Sequence, residues 1–520
     1  MSLLIGLDIG TTTTKALAFD PELGKVVHVV SCSTPVDHLD NTGASEHDPD
    51  RLWQSTASCL HGLMSSLSGQ QIAGLAISSF GDTGVALDSQ GRTLGPMMAW
   101  YDQRCAVQVA ALRAQISPEK WQALTGLRFS TSVGVSKWLW LRDEHPQAAQ
   151  QMSWWMPVSS YLLWQLTGEV AVDFSIASRM GLFDQNTLDW SGELLDLVGL
   201  QKEQLPAAFP AGTRVGSVGA AVADLTGLPE GTPCFLGGHD HLCAALATGV
   251  DRPGTLIDSC DTAWSLLVSM PGYIQDVRLQ QGGYACYAHV IPGRYILRGG
   301  LRSAGGAIQW LGHLLSGSAG EIPYKALVNA AAQTVGKQAG PVWMPHWMGS
   351  GTPLNDSNSL AALVGLHPAI EPGDLFRGLL ESLAFWLRQN VETLEPICGN
   401  TFGEIIAIGG TTRLDLFPLI KANVLNRPVA LLNLPEPASV GAALLAGKGC
   451  GYFEDAAGAA KAFAFERKIL EPDLQLAAWY EQIYQDVFQH LYSNLKETNL
   501  LLGRINRRVV QEEPFVSSIN

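Results

Sequence analysis

No stretch of this 520-residue chain reaches the roughly eighteen consecutive apolar residues that a membrane-crossing helix requires. Its first ten residues hold no basic cluster and meet Asp8 too early for a secretory signal. Both absences predict a cytoplasmic protein with no membrane partner. Cationic residues are scarce: 33 Lys and Arg against 48 Asp and Glu leave a net charge of −15. So acidic a chain is repelled by phosphate backbones, and nucleic acid is not an expected partner. The nine cysteines are odd in number and scattered, with no C-x-x-C pair, so they are read as reduced and mostly buried. Neither a G-x-x-x-x-G-K-[S/T] loop nor a G-x-G-x-x-G after a strand is present, which removes the two commonest sequence routes to a bound nucleotide.

What remains is a large globular chain, 47% hydrophobic and 16% charged. Its 54 glycines exceed the ordinary ~7% without a collagen period. At about 150 residues per domain the length predicts three to four domains, or two large ones.

Leu3 to Asp8 and Lys15 to Phe19 are short β-rich runs around a polar tip, Gly10 to Thr14, and predict a hairpin. A third strand is expected over Val26 to Ser31. Leu52, Trp53, Ala57, Leu60, Leu63 and Met64 have helical spacing, so a helix over Asp50 to Ser66 covers that sheet. Ile72 to Ser78 and Gly84 to Leu87 return to strand, giving a mixed α/β layer fold. Pro118 to Leu200 is mainly helical and rich in tryptophan. The segment Asp251 to Gly254 reads as a linker, which places a domain boundary near residue 250. Across it lies a faint repeat: Leu7 to Phe19 aligns with Ile257 to Ser269, pairing Asp8 with Asp258 and Thr12 with Thr262. Glu371 caps a helix, Glu404 to Ile408 is a strand, Ala438 to Ala446 is a small-residue helix, and the polar tail beyond about Asn499 is expected to be poorly ordered.

Three turns follow strands and carry Gly or Thr: Asp8 to Thr14, including Gly10, Thr11, Thr12 and Thr13; Asp258 to Thr262; and Gly409, Gly410 to Thr412. Such turns offer backbone N–H groups and hydroxyls to phosphate oxygens, and glycine permits close approach. Taken singly, each is equally an ordinary turn. Asp240, after Gly237 and Gly238, stands just beyond a strand end, where open α/β sheets place ligands. There it suits the acceptance of a proton from an attacking hydroxyl, or serves only as a helix N-cap. Asp8, beside the hydroxyl turn, suits a Mg²⁺ that bridges phosphates.

Together and in this order, these segments resemble the FGGY family of carbohydrate kinases over about residues 3 to 450. The resemblance implies two ribonuclease-H-like domains, shared with actin and hexokinase, closing on ATP·Mg²⁺ and a sugar in the cleft between them. It divides the chain into an N-terminal domain over 1–250, an ATP-binding domain over 251–490 and a tail over 491–520. Gly10, Thr11 and Thr12 match the first phosphate loop, and Lys15 a basic residue near nucleotide phosphate. Asp240 matches the catalytic base and Thr262 the second phosphate loop. Gly305 and Gln309 match a nucleotide-contacting G-x-x-x-Q, and Gly409 and Gly410 the adenosine loop.

Substrate contacts are expected from the first domain. Asp82 sits where glycerol kinases carry the Glu of an Arg-Glu-Thr, with the Arg missing, and Trp100, Asp102 and Arg104 resemble the family's W-x-D-x-R. Core packing for Trp100 and a local ion pair for Asp102 with Arg104 are the competing readings. His239 and His241 flank the base and are expected to bond to sugar or line its pocket, there being no third ligand nearby for a metal.

Two departures bear on activity. Asp261 replaces a glycine before the second-loop Thr, and Trp264 replaces a small or acidic residue; a carboxylate there is expected to repel the β- and γ-phosphates. Asn423 also replaces a common Asp. The expectation is therefore an ATP-dependent sugar or polyol kinase, with a ketopentose such as xylulose as the first substrate to test. The alternative is a catalytically impaired ATP- or sugar-binding regulator on the same fold. An actin-like ATPase without sugar chemistry is disfavoured by the Gly-Gly-x-Asp and W-x-D-x-R segments. A homodimer is compatible with the sequence and not required by it.

Overall fold

A computed structural model of the chain describes residues 2–39, 44–67, 69–249, 254–317, 320–463 and 466–511. The boundary expected near residue 250, with most of its linker, lies outside them. Strands β1 (Ser2–Ile9), β2 (Thr13–Asp20) and β3 (Lys25–Ser33) form an antiparallel meander, covered by helix α1 (Pro49–Ser66). Strand β4 (Gln71–Ser79) joins β1 in parallel. After the Trp-rich helical segment, which includes the short helix α2 (Phe174–Arg179), come β5 (Arg214–Ser217) and β6 (Pro233–His239). The sheet order is β5-β6-β4-β1-β2-β3, and helix α3 (Asp240–Ala247) leaves directly from β6. Leu3, Leu4, Ile5, Leu7 and Ile9 are all buried, because β1 is central and both its faces are covered, so its apolar run is continuous rather than alternating.

The second sheet repeats the scheme. Strands β7 (Thr255–Cys260) and β8 (Trp264–Met270) form a hairpin, followed by β9 (Ala285–Ala288) and β10 (Tyr295–Leu301). Helices α4 (Gly305–Ser316) and α5 (Pro372–Cys398) precede β11 (Glu404–Ile408), and helix α6 (Leu416–Leu425) leads to β12 (Val429–Leu432). Helix α7 (Pro437–Gly449) and strand β13 (Arg467–Leu470) follow, giving the order β9-β10-β8-β7-β11-β12-β13. Strand β11 lies parallel to β7, as β4 does to β1. The faint repeat is thus a duplicated fold, and the two domains are the ribonuclease-H-like pair expected.

Packing crosses from one half of the chain to the other. Val440 to Ala446 of α7 share a core with Leu4, Ala76, Leu242 and Cys243 of the first sheet and α3. Glycine makes this contact possible: a Cβ on Gly6 would lie 1.8 Å from the Ser439 carbonyl oxygen, and one on Gly441 2.0 Å from that of Cys243.

The tail differs from expectation as far as Gln511. Helix α8 (Gln489–Gln511) is amphipathic: Leu491 and Asn499 are buried, and Tyr492 Oη donates to Asp356 Oδ2 at 2.9 Å. The residues beyond it lie outside those described. Among the described residues no helix is long and apolar enough to cross a membrane, and all nine cysteines are free.

Candidate active site

Three parallel neighbours, β1, β4 and β6, end side by side: Asp8 lies opposite Ser78, and Ser79 opposite His239. That brings Asp8, Ser78 and Asp240 to one edge of the sheet, where carboxyl ends of strands converge and backbone groups are left for ligands. Ser78 Oγ donates to Asp8 Oδ1 at 2.6 Å. Burial, with the Asp240 charge second, pushes the Asp8 carboxyl up to about 7.

Asp240 is the first residue of α3, its side chain 24% exposed, and its Oδ1 accepts the His241 N–H at 2.6 Å. Burial raises its pKa to about 6, against the pull of that N–H and of Arg298 and Arg179. Burial also pushes His239 well below its ordinary value and His241 to about 3, so both rings are neutral hydrogen-bonding groups at pH 7. They stack at 5.4 Å. The turn before them is held from behind, where Ser175 Oγ accepts the His239 N–H at 2.9 Å and donates to Asp173 Oδ2 at 2.5 Å.

Beside Asp240 the structure gathers polar groups from three segments. Asp82 has φ 71°, a left-handed conformation that costs a non-glycine residue about 1–3 kcal/mol, and it forms a 2.8 Å ion pair with Arg179 at the end of α2. The guanidinium that the sequence lacks next to Asp82 is supplied here, from 97 residues away. Gly81 makes room: a Cβ there would lie 2.9 Å from His239 Cδ2 and 3.0 Å from Arg179 Cγ. From the second domain comes Tyr287, with the Arg179 guanidinium 5.4 Å over its ring and His239 at 6.5 Å.

Asp82 Oδ1, Thr83 Oγ1, Arg179 Nε, His239 Nδ1 and Tyr287 Oη are all buried without a hydrogen-bond partner. His239 Nδ1 does stand 3.2 Å from Asp240 Oδ1, but without hydrogen-bond alignment. Buried polar atoms are normally paired; four of these five belong to residues linked to one another through the Asp82–Arg179 ion pair and the Tyr287 and His239 rings, and Thr83 follows Asp82 in the chain.

The turns expected to hold phosphate are tight. Gly10 N–H donates to the Thr13 carbonyl at 3.1 Å, and a Cβ on Gly10 would meet that oxygen at 2.9 Å. Thr12 and Thr13 stay at least partly exposed. Lys15 is engaged by Glu436 at 2.5 Å. In the second loop, Gly305 N–H donates to the Asp261 carbonyl and Gly306 N–H to that of Thr262, at 3.1 and 3.2 Å. A Cβ on Gly305 would lie 2.1 Å from the Asp261 carbonyl, so α4 can start against this turn only with glycine. Thr262 and Gln309 are exposed. Gly409 has φ 95°, and Gly410 N–H donates to Asp261 Oδ1 at 2.5 Å.

Several predicted residues turn elsewhere. The Asp261 carboxylate ties the turn between Cys260 and Trp264 to the Gly409–Gly410 turn. Trp264 is 1% exposed and lies in the core, its indole N–H bonded to Asp258 Oδ1, whose other oxygen holds Lys421 at 2.6 Å. Asn423 Oδ1 accepts the Asp473 N–H at 2.7 Å. Trp100 Nε1 donates to Thr11 Oγ1 at 3.0 Å, bracing the first loop. Asp102 is fully buried, both oxygens taken by Arg104 and one also by the Ser45 N–H; Arg104 also pairs with Glu46 at 2.8 Å. That is the local ion pair, not a pair of free sugar ligands.

Arg179, Thr83, Tyr287 and Ser78 were not singled out from the sequence. Ser78, at a strand end beside Asp8, had a positional signal; Arg179 and Tyr287 had none.

Comparison with known proteins gives a consistent result. The description "FGGY family of carbohydrate kinases, N-terminal domain" matches residues 3–247, and its C-terminal counterpart matches residues 259–450. The chain is 29% identical over 459 residues to the L-fuculokinase of Salmonella typhi, covering 86% of this chain and 93% of that one. It is 26% identical over 509 residues to a xylulose kinase of Lactococcus lactis, covering 97% and 99%. The solved xylulose kinase of Rhodospirillum rubrum superposes with a TM-score of 0.87 at 30% identity, covering 96% and 99%.

Proposed function

This chain belongs to the FGGY family of carbohydrate kinases, and from that premise we propose that it moves the γ-phosphoryl group of ATP to a hydroxyl of a neutral sugar or polyol, with a ketopentose such as xylulose the first candidate. The observation that carries the substrate class is the set of five unpaired buried polar atoms beside Asp240. Asp82 Oδ1 can only accept and Arg179 Nε can only donate, while Thr83, His239 and Tyr287 can do either. Vicinal hydroxyls, each donor and acceptor, satisfy such a set; an aliphatic or purely anionic ligand does not.

In this reading the sugar hydroxyl lies against Asp240. The carboxylate, ionised above about pH 6, takes the hydroxyl proton as the oxygen attacks phosphorus. The Gly10 to Thr13 and Thr262 turns hold the phosphates, Gly305 and Gln309 border the nucleotide, and Gly409 with Gly410 receive adenosine. Tyr287 already stands against Arg179 and His239, and closure of the two domains excludes water. In this reading residues 1–250 carry the first loop, the base and the sugar pocket apart from Tyr287, residues 251–490 carry ATP and Tyr287, and 491–520 form the tail.

Asp8 is the residue that would hold Mg²⁺. At the carboxyl end of β1, beside the Gly10 to Thr13 turn, its single carboxylate would suit an ion that needs few protein ligands. When bound it would neutralise phosphate charge. Nine free cysteines and the need for ATP suit the cytoplasm.

ADP release measured with xylulose, other ketoses, polyols and aldonates tests the reading. At least one neutral polyhydroxy compound should raise turnover above the ATP-only rate; if none does, the kinase assignment fails. The regulator alternative was motivated by Asp261, whose carboxylate is bonded to the Gly410 N–H.

A further inference from the structure

Charge spreads over the oxygens of a phosphoryl group in flight, and a kinase needs cations or N–H donors aimed at it. The basic residue expected for this, Lys15, has its charge matched by Glu436 at 2.5 Å. Arg179 is pinned by Asp82 at 2.8 Å in the sugar pocket, and Arg128 reaches across to Asn355. Another guanidinium, that of Arg298, is left without a carboxylate partner among the described residues.

Arg298 lies on β10, opposite Leu267 of β8 and Ala285 of β9, while Ile296 lies opposite Tyr287. Side chains two apart on a strand share a face, so Arg298 is on the face that carries Tyr287 and Ile296. That face packs on the first domain: Tyr287, Ile296 and Leu267 share a core with Leu242 and Cys243 of α3. Arg298 Nη2 donates to Ser265 Oγ at 3.2 Å, and Ser265 sits one residue into β8, which begins just past Thr262. By register, then, the guanidinium stands between the sugar-pocket residue Tyr287 and the second phosphate loop. Among the described residues it has no carboxylate partner, and it is half-buried.

We propose that Arg298 is a catalytic residue that contacts the γ-phosphoryl group during transfer, bracing its oxygens from the second domain while Asp240 receives the proton from the first. The bond formed is sugar oxygen to γ-phosphorus, the bond broken is γ-phosphorus to the bridging oxygen of ADP, and the hydroxyl proton ends on Asp240. A guanidinium is suited because it keeps its charge and presents two parallel N–H groups to a pair of phosphoryl oxygens. Consistent with its place, its positive charge pulls Asp240 down and His239 and His241 further down from their ordinary values. The proposal rests on the kinase reading.

The test compares wild type, Arg298→Ala, Arg298→Lys and Asp240→Asn at saturating Mg-ATP. The substrate is whichever of xylulose, L-fuculose, glycerol or gluconate the wild type turns over, and ATP hydrolysis without sugar gives a second readout. Arg298→Ala should lose at least ~100-fold in kcat, with KM for sugar and for ATP within a few fold and ADP affinity kept, which shows that the variant is folded. Arg298→Lys should retain part of the rate, and added guanidinium ion should restore part of it to the Ala variant alone. A loss confined to the sugar KM would mean that Arg298 holds an acidic group of the substrate, and would overturn the proposal, as would an unchanged kcat or hydrolysis rate. A wild type that phosphorylates none of the four, yet hydrolyses ATP at a rate Arg298→Ala loses, would refute the kinase reading and leave Arg298 as a phosphoryl contact.

Discussion

Asp82 and Arg179 form a 2.8 Å ion pair that is 8% exposed on each side, and each retains one polar atom, Oδ1 and Nε, with no partner. A buried pair that leaves an acceptor and a donor unused is costly as structure alone, and under the proposed function those two atoms are ligand contacts. Replacing Asp82 by Asn, or Arg179 by Ala, should lower kcat/KM for sugar by ~100-fold or more and leave ADP affinity unchanged. Each single change also strands a buried polar group, so urea unfolding should show a loss of about 3–5 kcal/mol. Unaltered sugar kinetics in both variants would remove the pair from the pocket.

The pH profile follows from Asp240. With the carboxyl at about 6 and the ionised form required, kcat/KM for sugar should fall about tenfold per pH unit below 6 and level off above it. Asp240→Asn should lose ~10²–10⁴-fold in kcat and with it this acid limb.

The same residue makes a stability prediction with a definite sign. Its folded pKa lies above the ordinary 3.8, so the folded state holds the proton more tightly, and its contribution to stability falls as pH rises from about 4 to 6. Asn can still accept the His241 N–H. Asp240→Asn should therefore be more stable than wild type at pH 8, by up to about 3 kcal/mol, and should have no such advantage below pH 4. Thermal melts at the two pH values check this.

Asp261 separates two views of the turn proposed as the second phosphate loop. If its charge repels phosphate, Asp261→Asn and Asp261→Ala should both lower the KM for ATP. If its role is to hold Gly410, to which it bonds at 2.5 Å, the Ala variant should raise that KM several fold while the Asn variant, which keeps an acceptor, stays near wild type. The second outcome is expected.

Seating of α7 on the first sheet depends on Gly6. Gly6→Ala, with a Cβ 1.8 Å from a backbone oxygen, should cost at least about 2 kcal/mol. Gly192→Ala, in open space at a helix start, should be neutral or stabilising by up to about 1 kcal/mol. Equal melting temperatures for the two variants would contradict the packing described.

Much of the fold was legible because its signals are local. The β1–β2 hairpin and α1 follow from apolar spacing, and the start of α5 from the Glu371 turn, all within a few residues of each other; the Asp48 cap of α1 was seen only in the structure. The helix over 489–511 was missed because its polar outer face dominates the composition, and only its contacts with Asp356 and Leu360 reveal the buried stripe.

The sequence alone determined the hairpin that recurs as β7–β8, the order of the glycine-bearing turns and the candidate base at Asp240, since each depends on residues adjacent in the chain. Tertiary structure decided which charges are free to act. Lys15 is matched by Glu436, Asp102 by Arg104, and Asp261 is bonded to the Gly410 N–H, whereas Arg179 arrives beside Asp82 and Tyr287 beside His239 from distant segments. Whether a charge or hydroxyl is spent on the protein or left for a ligand depends on distances of a few ångströms between residues far apart in the chain, and no spacing within the sequence encodes them.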